Sequence, residues 1–193
     1  MLTIYGDSRS GNCLKVLWLA RHLGHPHRLV EVDIMAGATR TAEFLARNPA
    51  GQVPVVELED GRTLAQSNAI ALWLADGTTL IPDDRWRRAK MHEWLFWEQY
   101  SHEPAVAVCR FRVVYQGQPI ASLDPTLVAK GNAALDRMQA HLEHSTWLVD
   151  PGPTLADLAL VAYTRVAHEG GFDLAPRPAL RAWIARTERA FGI

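Results

Sequence analysis

The spacing of apolar residues changes once along the chain, from short strand-like runs alternating with helical stretches to helical spacing throughout. Leu2 to Tyr5 suits a strand. After a turn over Gly6 to Gly11, Leu14, Leu17, Trp18 and Leu19 recur as one face of a helix over 13–23. Arg28 to Val32 reads as a second strand. Ala42, Phe44, Leu45 and Ala46 predict a short helix over 39–47, ending before Asn48-Pro49 because a residue preceding proline is pushed out of the helical region. Val53 to Leu58 is rich in β-branched residues, Glu59-Asp60-Gly61 supplies a tight turn, and Arg62 to Leu64 gives the returning strand of a hairpin. Ser67 predicts the N-cap of a helix through Ala75, since its hydroxyl can accept a hydrogen bond from an otherwise unpaired N–H of the first turn.

The order β-α-β-α-β-β-α over residues 1–77 predicts an α/β domain with a small mixed sheet, because the first crossover favours parallel pairing and the hairpin is antiparallel. A thioredoxin-like domain is one such arrangement. Residues 78–84 read as a linker, and 85–193 carry helical spacing with no strand, which predicts an all-α helical bundle. Its first long helix, 85–115, holds Trp86, Trp94, Phe96, Trp97, Tyr100 and Phe111, with Pro104 expected to kink or divide it. Further helices are predicted over 125–143, from Thr154 onward, and over 178–190. Thr154-Leu155-Ala156-Asp157 resembles a capping box with Asp in place of the usual Glu or Gln, and the following leucines place that helix in the middle of the bundle.

Hydrophobic residues at 48% and charged residues at 21% describe an ordinary globular chain. With 20 basic and 21 acidic residues the net charge is -1, so no electrostatic surplus points to nucleic acid. Cys13 and Cys109 lack CxxC spacing; they make neither a disulfide framework nor a cysteine-rich zinc site and fit a reducing cytoplasm. His22, His25 and His27 do not share a helical face and Pro26 interrupts them, so no metal site is expected. The first residues read as a strand and not as a signal peptide. No apolar run approaches the roughly 20 residues that span a bilayer, so no membrane partner is expected.

Candidate chemistry concentrates in the loop Asp7-Ser8-Arg9-Ser10-Gly11-Asn12-Cys13, which joins the first strand to the first helix. A helix start presents unpaired N–H donors and a partial positive charge, which favour an anion such as a thiolate. Ser10 or Asn12 could add a donor. Each unit by which a thiol pKa falls stabilises the thiolate by about 1.4 kcal/mol. Taken alone, Ser10 reads first as an N-cap and Asn12 as a turn residue. Val53-Pro54 stands at a strand entrance, where the bond is either a trans turn or a cis bond that aims neighbouring backbone groups at an extended peptide.

Four segments in order, Ile4 to Cys13, Asn48 to Pro54, Leu64 to Ile70 and Thr154 to Leu160, resemble the cytosolic glutathione transferases of the bacterial theta-like and nu-like kind, over essentially the whole chain. The resemblance implies the glutathione transferase fold, a thioredoxin-like domain followed by a helical bundle. It implies that Ser10 meets the sulfur of glutathione, with Asn12 beside it, and that Pro54 is cis, with Val53 and Gln52 along the cysteinyl backbone. Gln66 and Ser67 would hold the γ-glutamyl end, the carboxylate resting on Ser67 and the helix amides. The family often carries Glu where Gln66 stands, which weakens the pair with the ligand ammonium. Arg40 aligns with a basic residue that reaches the glycyl carboxylate, or is a solvated arginine at a helix start. Cys13, one step past Asn12, is a packed residue or a reactive thiol, and Tyr5 is read as a packed aromatic. Trp94 to Tyr100, with His102 and Arg110, either wall the pocket for a second substrate or form core and dimer interface. The activity implied is conjugation of the glutathione thiolate to a hydrophobic electrophile, a detoxification chemistry needing glutathione as co-substrate and no other cofactor, in a cytoplasmic homodimer. Two alternatives stay open: a glutathione-dependent thiol-disulfide enzyme using Cys13, and a non-catalytic binding or regulatory protein.

Overall fold

The computed structural model describes residues 1–193 and divides into two units, Met1–Thr78 with Gly192 and Thr79–Phe191 with Ile193. In the first, β1 (Leu2–Gly6), α1 (Gly11–His22), β2 (His27–Glu31), α2 (Ala42–Arg47), β3 (Val55–Glu57), β4 (Thr63–Ala65) and α3 (Ser67–Leu74) come in the predicted order. The sheet runs β2-β1-β3-β4, with β1 parallel to β2 and antiparallel to β3, and β3 antiparallel to β4.

Alternation along the strands gives the sheet two buried faces. Ile4 and Val56 are cross-strand partners, both fully buried. Gly6, two residues on from Ile4 and so on the same face, packs against Cys13 of α1, which puts α1 there, with α3 beside it. Tyr5 and Val55 point to the opposite face, where Val32 and Phe44 of α2 complete a second cluster. The helix expected over 39–47 is broken. A 3-10 turn, Ala38–Arg40, ends at Thr41, whose backbone is extended and whose hydroxyl accepts a hydrogen bond from the Phe44 N–H at 3.2 Å. Capping the second piece satisfies a first-turn donor that an uninterrupted helix would have paired by itself.

The second unit is helical. α4 (Arg85–Trp97) starts at Asp84, which accepts a hydrogen bond from the Arg87 N–H at 2.8 Å. The long helix expected over 85–115 is divided: Pro104 lies in a π-helical stretch, Glu98–Ala107, that stands between α4 and α5 (Val108–Val114). Proline lacks the N–H and its ring crowds the carbonyl four residues back, and a wider turn relieves both. α6 (Pro125–Leu142) buries Gly131, Ala134, Leu135, Met138 and Leu142 along one stripe, and α8 (Pro178–Phe191) buries Leu180, Trp183, Thr187 and Phe191.

Every residue of α7 (Leu155–Thr164) is buried, so it is the central helix of this unit. Asp157 closes the expected capping box, its Oδ2 accepting from the Thr154 N–H at 2.9 Å and hydroxyl at 3.2 Å. Its Oδ1 accepts from the Leu148 N–H at 3.0 Å and the Trp183 indole at 2.8 Å. Complete burial pushes this carboxyl's pKa up, and the same four hydrogen bonds oppose the shift. No helix is long and apolar enough to cross a membrane.

Gly131 offers a test of the packing, because a Cβ there would overlap the Phe172 ring. In an open helix Gly→Ala gains about 1 kcal/mol. Gly131→Ala should instead lower Tm, by the roughly 1–3 kcal/mol of an overpacked core; a raised Tm in a thermal melt would contradict the contact.

Candidate functional site

The strand register decides which loops meet. Tyr5 pairs with Val55, and Val55 with Ala65. The chain leaving β1, the chain entering β3 and the chain leaving β4 therefore lie at one end of the sheet. That end gathers Asp7 to Cys13, the loop Asn48 to Pro54, and Gln66-Ser67, three of the four segments singled out in the sequence.

The β1–α1 loop is tightly bonded. Asp7 is nearly buried; its carboxylate accepts from the Arg9 N–H at 2.8 Å and its carbonyl from the Ser10 N–H at 3.0 Å. Ser10 occupies the N-cap position of α1, and its carbonyl accepts from the N–H groups of Cys13 and Leu14 at 3.0 and 2.8 Å. Its hydroxyl makes no cap bond and lies within hydrogen-bond reach of the Cys13 thiol. A hydroxyl rotor of this kind can turn to another acceptor.

Cys13 is fully buried beneath the turn, with the Asp7 N–H donating to its Sγ at 3.4 Å and Gly6 so close that a Cβ there would lie 3.0 Å from the sulfur. Burial pushes the thiol up to about 11, outweighing the hydrogen bonds from the Asp7 N–H and the Ser10 hydroxyl. This favours the packed reading of Cys13 over the reactive one, since a thiol of raised pKa is neutral at neutral pH.

Ser67 does not cap α3 as expected. The N-cap position falls on Gln66, whose φ of 70° is the one positive φ outside glycine. Such a backbone costs of order 1–3 kcal/mol and tends to occur at functional sites. Starting the helix one residue early turns Ser67 inward, where its hydroxyl donates to Asn12 Oδ1 at 3.1 Å. One turn further along α1, the fully buried Lys15 donates to Asn68 Oδ1 at 3.3 Å. Asn12 and Ser67 are thus brought together, and a second polar link runs beside them.

The remaining loop is braced by Asn48, whose amide donates to the Gln52 carbonyl at 2.7 Å and whose Oδ1 accepts from the Ala50 N–H at 3.2 Å. Arg40 is exposed, but its guanidinium donates to the Ala50 carbonyl at 3.3 Å and lies so close over Gly51, at φ 62°, that a Cβ there would collide with it. The Val53-Pro54 bond is cis. Pro54 is buried, Val53 half-buried, and the Gln52 and Gln66 side chains are exposed.

Tyr5 packs: its hydroxyl donates to Glu57 at 3.2 Å and the Arg47 guanidinium lies 4.5 Å over its ring. In the helical unit Trp94 is buried edge-on to Trp97 at 5.2 Å, while Arg137 stacks on both rings. His102 is buried with its Nε2 3.0 Å from the Thr164 hydroxyl, and Arg110 pairs with Glu169 at 2.6 Å. Phe96 and Tyr100 are exposed. Sequence reasoning gave no individual role to Asn48, Lys15 or Asn68, which brace the segments gathered here. Asn48 carries the cue of an Asn closing a helix before a Pro-Ala-Gly turn; Lys15 carries the cue of a lone cation within the apolar run Leu14 to Leu19.

Comparison with known proteins agrees with this architecture. The glutathione S-transferase N-terminal domain matches residues 9–76 and the glutathione S-transferase C-terminal domain residues 97–190. A glutathione S-transferase structure from Pseudomonas fluorescens Pf-5 is 46% identical, with a TM-score of 0.93, covering 97% of this chain and 94% of that one. Another, from Xanthobacter autotrophicus Py2, is 47% identical with a TM-score of 0.92, covering 97% and 93%. A maleylacetoacetate isomerase from Rhizobium meliloti is 33% identical over 98% of this chain and 91% of its own length. The two domain matches and these relatives along nearly the full length show that the chain belongs to the glutathione S-transferase family.

Proposed function

We propose that this glutathione transferase ionises glutathione at the β1–α1 loop and conjugates the thiolate to a hydrophobic electrophile, with Ser10 as the principal donor to sulfur and Asn12 as the second. The observation that carries the reading is the meeting of three loops at one sheet end, two of them tied by the bond between Ser67 and Asn12. The γ-glutamyl carboxylate rests on the Ser67 hydroxyl and the amides opening α3, and Gln66 faces the ligand ammonium. The cysteinyl backbone pairs with Val53 in the manner of an added strand, beside Gln52 and Pro54. Arg40, already folded over Ala50 and Gly51, receives the glycyl carboxylate. Docked this way, the sulfur lies near the start of α1, where backbone donors and a turned Ser10 hydroxyl favour its ionised form. Ionisation and positioning supply most of the acceleration, and glutathione is the only co-substrate.

The chain works as a cytoplasmic detoxification enzyme in this reading. It forms a homodimer, since the exposed Trp86, Phe96 and Tyr100 on α4 and the π-helical stretch are large aromatics that a partner copy would cover. A thiol-disulfide role for Cys13 has the burial of that sulfur against it. The identity to a maleylacetoacetate isomerase favours one second reading, the isomerisation of such a substrate by reversible addition of the same thiolate.

Ser10→Ala should raise the pKa of bound glutathione by about one unit or more, a loss of at least ~1.4 kcal/mol of thiolate stabilisation, while its Kd changes little. Ultraviolet titration of the bound thiolate checks this, and an unmoved pKa would pass the role to Asn12 or the backbone. Iodoacetamide at neutral pH should leave Cys13 unmodified in the native protein and label it after unfolding; fast native labelling, read by peptide mass, would restore the disulfide-exchange reading. Light scattering should return twice the chain mass, and a monomer would remove the dimer.

A further inference from the structure

We infer that Lys15 is a positioning residue for the γ-glutamyl carboxylate of glutathione, acting on the first turn of α3 through Asn68. The inference rests on the glutathione site proposed above. Lysine is almost never fully buried unless something engages its charge, and the immediate neighbours Cys13, Val16 and Leu17 are all buried, so packing alone would be served better by an apolar side chain at this position. Among its contacts the ammonium donates to Asn68 Oδ1 at 3.3 Å. Asn12, three residues earlier and therefore on the same face of α1, accepts from Ser67 at 3.1 Å. Two residues one helical turn apart on α1 thus hold two consecutive residues at the start of α3.

That start is built to receive an anion. It has no acidic residue in its first turn and its N-cap Gln66 makes no side-chain cap bond, so the positive end of the helix dipole meets no carboxylate of the helix's own. The Lys15 ammonium adds a full charge within one side-chain length of those donors, in a buried setting where screening by water is weak. It also holds Asn68, and with it the turn on which Ser67 is carried. Lys15 lies one turn further from the β1–α1 loop than Asn12 does. Its effect therefore falls on binding of the carboxylate and not on ionisation of the sulfur, which separates it from Ser10 and Asn12.

The test compares the full-length protein, Lys15→Met and Lys15→Arg by calorimetric titration with glutathione. In parallel, competition measures an analogue whose γ-glutamyl group is replaced by 4-aminobutanoyl, keeping the ammonium and lacking the carboxylate. Lys15→Met should raise the glutathione Kd about tenfold, the scale of one lost charge-assisted contact. The same change should leave the analogue's affinity and the pKa of the bound thiol where they were, and Lys15→Arg should restore most of the loss. An unchanged glutathione Kd in Lys15→Met, or an equal loss for both ligands, overturns the inference. If Lys15→Met does not fold, Asn68→Leu cuts the same link; the carboxylate-selective loss must then appear there, and its absence is equally fatal. A wild-type protein that binds no glutathione overturns the site reading and the inference with it, whereas wild-type binding that Lys15→Met leaves intact sinks the inference alone.

Discussion

β1 pairs in parallel with β2 on one side and antiparallel with β3 on the other, and this mixed register determines where each functional segment leaves the sheet. Because side chains alternate, a slip of one residue would exchange the faces of the strand. Ile4 would leave the α1 side and Tyr5 would lose its place against Val55 and Phe44. The register is pinned further at Gly6, where an added Cβ would press on the Cys13 sulfur at 3.0 Å. Cys13 thus belongs to the site as a wedge: its sulfur accepts the Asp7 N–H and fixes the turn from which the Ser10 hydroxyl and the Asn12 amide project. A residue that chemistry alone would nominate for reactivity is the one whose burial holds the β1–α1 loop in place.

The polar contacts between α1 and α3 obey the same logic. Buried polar groups are costly unless bonded, and a network that is fully bonded is rigid. The pairs Asn12 with Ser67 and Lys15 with Asn68 convert that cost into a fixed separation between the loop expected to hold sulfur and the helix start expected to hold a carboxylate. A rigid spacing between two ligand subsites lets the binding energy of one end of a substrate position the other, which is where catalysis by orientation comes from. The strained backbone of Gln66 belongs to this arrangement, since it is what turns Ser67 toward Asn12 and away from a cap.

Much of this is legible in the sequence, and the exceptions have physical causes. Element order comes from periodicity, and the segments around Ser10, Asn48-Pro54 and Ser67 carry the family likeness. The placement of Ser67 inside α3, bonded to Asn12, is hidden because a hydroxyl ahead of an apolar run is ordinarily a cap, and nothing in local composition announces a non-glycine residue at positive φ. Thr41 merges into a predicted helix because threonine is tolerated inside one and is also a good cap; the choice between them is made by tertiary packing of Phe44. Pro104 announces the division of the long helix but not its form, because the penalty is written for i→i−4 geometry and a π-helical turn sidesteps it. Lys15 escapes notice because periodicity counts every lysine as surface, and its burial exists only once α3 lies against α1.

Two buried charges show how similar desolvation costs can be put to different uses. Asp157 receives four donors from Thr154, Leu148 and Trp183, which meets the roughly four acceptor sites of a carboxylate. These donors come from three separate segments, so the carboxylate ties the centre of the helical unit together and its function is complete within the fold. Lys15 is engaged differently: it reaches from the middle of one helix to the first turn of another, at the sheet end where three loops meet. A purely structural cation could sit anywhere along α1 that offered an acceptor. One placed beneath a helix start that lacks acidic side chains reinforces the single property such a terminus has by itself, attraction for a negative charge. The sequence position of Lys15, one turn after Asn12, therefore joins the fold of the first unit to the recognition of an anionic ligand end.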